Sequence, residues 1–233
     1  MQALSQTIEQ RFPANGVLAF AQPAAPDALD LLEQFSSAIS VRRDREIHAQ
    51  GDQANSCYRI VSGCVRVVKL MEDGRRQISE FLMAGDLLGF DSLDTFDFAA
   101  EAVNDVVLRR YPRRAVDSLV DSNLPLARRL RQAGAVSLRE AHARLVLLGR
   151  KTASERIASF LMEMAERLPQ TRRGVLDLPM NRADVADHLG LTIETVCRAL
   201  ASLRREGTIT IERGSVTIRD AVALGQMASE ARH

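Results

Sequence analysis

Residues 181–205 read NRADVADHLGLTIETVCRALASLRR, and their apolar spacing predicts two helices meeting at a sharp angle. Asn181 can cap the first, whose inward positions are Val185, Ala186 and Leu189. Gly190 follows, where a left-handed residue lets the chain turn, and Leu191 plugs the angle. Thr192 can cap the second helix, in which Val196, Leu200 and Leu203 recur at helical spacing and form the buried stripe. The opposite side then presents Ile193, Glu194, Cys197 and Arg198. Beyond it, 207–211 and 215–218 are β-prone and joined through Arg213-Gly214, the pattern of a small hairpin or wing.

Glu194 and Arg198 lie four apart and so project from one helix face. In a major groove that pair suits base reading: a carboxylate accepts from cytosine N4, and a guanidinium donates two bonds to guanine O6 and N7. The alternative is a surface ion pair worth only about 0.3–0.5 kcal/mol. Position on the second helix of a glycine-turned unit favours base reading. Thr192, Thr195, Arg204, Arg205 and Arg213 are the accompanying phosphate candidates.

The remaining composition narrows the class. Across 233 residues, 31 Lys+Arg against 30 Asp+Glu leave a net charge of +1, with 46% hydrophobic residues. That balance excludes a disordered chain and a strongly basic tail-type binder. No apolar run is long enough to span a membrane, and the short run at 17–21 is no signal core, so a cytoplasmic protein is expected. Three scattered cysteines (Cys57, Cys64, Cys197) and four scattered histidines offer neither a disulfide framework nor a metal-ligand spacing. No nucleophile elbow or P-loop glycine pattern is present, so an enzyme is not expected.

Residues 1–26, with Pro13, Pro23 and Pro26, read as a loose arm. The spacing of Leu31, Leu32, Phe35 and Ile39 predicts a helix over 28–39. From 46 to 111 short β-prone runs recur between turn residues at Gly51, Gly63, Gly74 and Gly85, which predicts an antiparallel barrel or roll. A long helix is expected over 124–148, in which Gly134, Leu138, Ala141, Leu145 and Leu148 form a heptad seam suited to a helix pair across a dimer axis. The same stripe could instead lie on the chain's own domain. Thr152 or Ser154 can cap the helix that follows. The expected division is 1–26 arm, 27–123 roll, 124–150 long helix and 151–233 helix-turn-helix region.

With these residues in place the chain resembles the CRP/FNR superfamily of bacterial transcription regulators, in its FNR/FixK-type branch, from about residue 29 to 227. The carrying stretches are FLMAGDLLGFD (81–91), GRKTASERIASFL (149–161) and LGLTIETVCRALASL (189–203). The resemblance implies an α+β fold: an N-terminal antiparallel β-roll of the cyclic-nucleotide-binding type, a long dimerisation helix and a C-terminal winged helix-turn-helix. It implies a homodimer, mainly an activator, on palindromic double-stranded DNA with TTGA-type half-sites. Glu194 and Arg198 match the family's principal base-reading positions, with Ile193 and Cys197 as variable neighbours. Activation implies contact with RNA polymerase, for which the resemblance offers a roll loop at 75–81 (Arg75, Ile78, Ser79, Glu80, Phe81) and a turn carrying Arg172 and Arg173.

The departures from the family pattern matter as much. Residues 1–56 contain no cysteine, and Leu108 stands where the oxygen sensors place a roll ligand, so no iron–sulfur cluster is expected. Cyclic-nucleotide receptors grip the phosphate with an Arg-Ser pair. The matching stretch TFDFAAE (95–101) has two acids and no arginine, so no cyclic nucleotide is expected either. No haem axial pair can be named. The expectation is a FixK-type regulator without cofactor, in oxygen-limitation or redox-linked gene control; the alternative is a ligand-gated regulator with an unidentified effector in the roll. Cys197, on the DNA-facing side beside Arg198, is a candidate for oxidative inactivation; the plainer reading is a small side chain permitting close approach to DNA.

Overall fold

The computed structural model describes residues 28–92, 94–168, 174–212 and 214–229. The expected arm 1–26 and the candidates Arg172, Arg173 and Arg213 lie outside them. A 3₁₀ helix, Ala28–Phe35, leads into eight strands: β1 (Ser37–Val41), β2 (Glu46–His48), β3 (Ser56–Ser62), β4 (Cys64–Leu70), β5 (Arg76–Met83), β6 (Leu87–Leu88), β7 (Ala99–Ala102) and β8 (Val106–Pro112). Three helices follow, α1 (Arg113–Ser122), α2 (Leu124–Arg150) and α3 (Ala153–Arg167). Then come β9 (Val175–Leu176), α4 (Arg182–Leu189), α5 (Ile193–Arg205), β10 (Ile209–Glu212), β11 (Ser215–Ile218) and α6 (Ala221–Ser229).

The first eight strands form two antiparallel sheets, ordered β1-β8-β3-β6 and β2-β7-β4-β5. Val65, Val67, Leu82, Ala100, Ala102 and Leu108 fill the space between them, giving the β-roll. Gly63 makes the turn from β3 to β4 with φ at 91°, and a Cβ there would stand 2.5 Å from the Asp105 carbonyl. Only glycine fits such a position.

Strand β4 reads CVRVVKL, and its first five residues are all buried. A strand covered on one face would alternate, whereas a continuous buried run means cover on both. Val65 and Val67 point into the roll. Cys64 and Val68 join a second core with Ile78, Phe81 and Met83 of β5 and with Ile157, Phe160, Leu161, Val185, Ala186 and Leu189 of the C-terminal helices. One apolar core therefore runs from the roll into the helix-turn-helix region.

Two expectations need correction. The helix expected over 28–39 stops at Phe35, and Ile39 lies in β1 opposite Leu108, because pairing with β8 outweighs the local helical spacing. The loop expected at 75–81 is mostly strand β5, in which Ile78 and Phe81 are fully buried under the C-terminal helices. Neither can meet another protein. Ser79 donates to the Val67 carbonyl at 3.2 Å. Glu80 is half-buried along a cavity between roll and α2, and burial, then the nearby Asp91 carboxylate, push its acid up to about 7. Arg75 alone of this set is exposed.

Helix α2 starts on Asn123, whose side chain accepts from the Leu126 amide, with proline in its first turn. On the expected seam, Leu138 is 58% exposed, Leu145 69% exposed and Ala141 exposed. One end of the seam, Leu148, turns toward its own chain, whereas Gly134 at the other is exposed with open space where a Cβ would stand. Gly134 borders the roll cavity, and Leu148 Cδ2 would lie 3.6 Å from a Cβ on Gly190. After two extended residues, Lys151 and Thr152, α3 begins in a capping box between Thr152 and Glu155.

Candidate nucleic-acid interface

Each end of the helix-turn-helix is fixed by a local device. Asn181 and Asp184 form a reciprocal capping box at the start of α4. Gly190 closes that helix in the left-handed region, φ 61° and ψ 43°. Thr192 caps α5 by accepting from the Thr195 amide at 3.2 Å. Arg156 of α3 clamps the turn from behind, donating to the carbonyls of Leu189 and Leu148 at 2.8 Å each and of Lys151 at 3.0 Å. The angle between α4 and α5 is thereby tied to the end of the long helix.

Val196, Ala199, Leu200 and Leu203 bury the inner side of α5. Ile193, 46% exposed, Glu194 and Arg198 stand in solvent, and Cys197 is half-buried beside them. Glu194 lies below the ordinary carboxylate range because its own backbone N–H and the Thr192 side chain hydrogen-bond to it, with Arg198 adding attraction. It is thus a charged acceptor at neutral pH. Arg198 donates to Thr195 Oγ1 at 3.4 Å, and among the described residues no ion pair joins it to Glu194. The surface ion pair that competed with base reading is thus not formed among the described residues, and both charged ends face solvent.

Other cations surround this face. Arg204 and Arg205 are exposed in the last turn of α5, where Arg205 donates to Ser202 Oγ at 3.4 Å. Arg182, which the sequence reading passed over, is exposed in the first turn of α4 and donates from Nη1 to Cys197 Sγ at 3.1 Å. Its position directly after the capping Asn181 was the signal: a first-turn cation beside the recognition face. The wing is a three-stranded antiparallel sheet, β10-β11-β9, with Thr210 opposite Thr217; its third strand was not foreseen.

Cofactor chemistry has little to work with. Cys57 and Cys64 are buried, and burial pushes both thiols up to about 12, while Cys197 belongs to the helix-turn-helix. Three thiols so placed do not fit an iron–sulfur cluster. Among the described residues no group of three or more His, Cys, Asp or Glu could hold a metal ion. The roll cavity, about 390 Å³, is bordered by Glu80, Asp86, Asp91, Asp97 and Glu140, with Arg129 and Arg167. Arg167 is engaged with Asp86 and Glu163. Glu101, outside that lining, is held by Arg66. No helix among the described residues is long and apolar enough to cross a membrane.

Comparison with known proteins agrees with this geometry. Residues 38–123 match the cyclic nucleotide-binding domain family, and residues 155–227 match the Crp-like helix-turn-helix domain family. The nitrogen fixation regulation protein FixK of Azorhizobium caulinodans is 37% identical over 97% of this chain and 94% of its own length. The protein of the same name from Rhizobium meliloti is 38% identical over 80% and 81%. The solved structure of FixK2 from Bradyrhizobium japonicum superposes with a TM-score of 0.80 at 38% identity, covering 84% of this chain and 99% of that one.

Proposed function

This chain belongs to the CRP/FNR family of transcription regulators, in its FixK-type branch, and from that premise we propose that it is a homodimeric activator reading palindromic TTGA-type sites without a bound effector. The observation that carries the proposal is the pair Glu194 and Arg198, standing unpaired with each other on the solvent side of α5. In each half-site Glu194 accepts from cytosine and Arg198 donates to guanine. Ile193 and Cys197 touch the neighbouring base edges. Thr192, Thr195, Arg204, Arg205 and Arg213, with Arg182, hold phosphates and set the register. Leu138, Ala141 and Leu145 of α2 meet their copies across the dimer axis, removing exposed leucine surface from water.

Effector independence is supported by the acid-lined cavity and the poorly placed thiols. Control then lies with the amount of protein made, in oxygen-limitation or redox-linked gene expression. Polymerase contact falls to Arg75 and to Arg172 and Arg173, since Ile78 and Phe81 are buried. A second reading attaches to Cys197: its sulfur is half-buried on the DNA-facing side of α5, 3.1 Å from Arg182 Nη1, and oxidation to a sulfinate there would oppose DNA phosphates. The test of the main reading is binding of metal-free, reduced protein to a palindromic TTGA-type duplex. Tight binding with no added small molecule supports it, and a requirement for an effector removes it.

A further inference from the structure

The most deeply buried charge of the helix-turn-helix faces the roll rather than DNA. Asp184, the third residue of α4, has a side chain 1% exposed. Its Oδ1 accepts from Arg66 Nη1 of β4 at 3.2 Å and from Arg76 Nη2 of β5 at 2.8 Å. Its Oδ2 accepts from the Asn181 amide at 3.3 Å, completing the capping box. Arg66, 8% exposed, also donates through Nε to Glu101 of β7 at 2.7 Å and reaches Asp44 at 3.4 Å. Arg76 further engages Asp187, one helix position from His188. A single guanidinium thus joins two roll elements to the helix that carries the recognition turn.

We propose that Arg66 is a positioning residue for DNA reading: acting through Asp184, it fixes α4, and with it α5, at one orientation to the roll and so to the dimer axis. This rests on the dimeric reading above. The docking consumes Asp184, Asp187 and His188 of α4 and leaves Ile193, Glu194 and Arg198 of α5 uncovered, so the docked arrangement is one in which the reading face is free. The alternative pivot is at hand in the two extended residues between α2 and α3. A charge network buried at that depth is a device for specifying one geometry more than a source of net stability. It supplies within the chain the orientation that an effector would otherwise have to impose.

Palindrome and half-site affinities separate positioning from folding. One recognition helix can engage a lone half-site in any orientation, whereas two must match the spacing between half-sites. Reduced wild-type protein, Arg66→Met and Arg76→Met are titrated by fluorescence anisotropy against a palindromic TTGA-type duplex, the same palindrome with a longer spacer, and a single half-site. Arg66→Met is expected to lose about tenfold on the palindrome, to stay within about twofold on the half-site, and to discriminate less between the two spacers. Arg76→Met, at a more exposed guanidinium, shows the same pattern more weakly and decides the matter if Arg66→Met does not fold. Equal losses on all three duplexes would assign Arg66 a folding role, and a tightened palindrome would make the docked state a restraint; either overturns the proposal. A wild type with no preference for the palindrome overturns the dimeric reading itself, whereas an Arg66→Met protein that matches a discriminating wild type on all three duplexes overturns only the positioning role of Arg66.

Discussion

The imidazole of His188, in α4, meets the carbonyl of Ile78, in β5, at 3.2 Å from Nδ1, while the guanidinium of Arg144 from α2 approaches Nε2. This arrangement suits a neutral ring with its proton on Nδ1. Phe81 and Phe160 close around it. Three parts of the molecule, the roll, the long helix and the helix-turn-helix, converge on one uncharged histidine.

Burial, with Arg144 repelling the imidazolium, lowers His188 from its ordinary 6.5 to about 3. A group held neutral in the fold stabilises above its unfolded value, and the contribution is lost as pH falls from 6.5 toward 3. At pH 5 the loss is on the order of 2 kcal/mol. Denaturant unfolding of wild type and His188→Gln should diverge by about that amount between pH 7 and pH 5, the variant falling less. Parallel profiles would mean that the imidazole is free to charge in the folded protein.

Leu145→Glu or Leu138→Glu places a carboxylate on the exposed stripe of α2, where each leucine is more than half uncovered in the single chain. Folding should be little affected, because no core contact is lost. Light scattering should report the monomer mass, and palindrome affinity should fall by at least tenfold as the two recognition helices come apart. A dimer that persists in both variants would place the interface elsewhere.

Peroxide treatment addresses Cys197. Wild-type protein should lose palindrome affinity and Cys197→Ser should keep it, since the buried thiols of Cys57 and Cys64 resist oxidation. Equal inactivation of the two proteins would leave Cys197 as a small side chain near DNA.

The parts of the fold written locally were legible in sequence. Asn181, Gly190 and Thr192 mark the helix-turn-helix by caps and a turn that need only their own neighbours, and all three act as expected. Thr152, one of the two caps offered for the following helix, is of the same kind; the Asn123 cap of α2 is equally local but was not foreseen. What the sequence concealed is nonlocal. Ile39 fits a helix by spacing but sits in a strand through pairing with Leu108. The resemblance places a surface loop at 75–81, although residues 77–82 are β-prone by type. Only the helices packed over Ile78 and Phe81 turn it into an interior strand. Arg66 and Asp184 lie 118 positions apart, and no periodicity links a charged residue in a strand to the cap of a distant helix. The exposed face of α5 was visible in the sequence; the contacts that dock α4 on the roll were not.

The most direct test of DNA reading by Glu194 and Arg198 is a cycle in which wild type and Arg198→Ala are each titrated against the TTGA palindrome and against one with the half-site guanine replaced. The account predicts that Arg198→Ala costs about 1–3 kcal/mol on the palindrome and almost nothing further on the replaced site, because the guanidinium has lost its partner base there. An equal loss on both duplexes would make Arg198 a phosphate contact and would contradict base reading by this helix face.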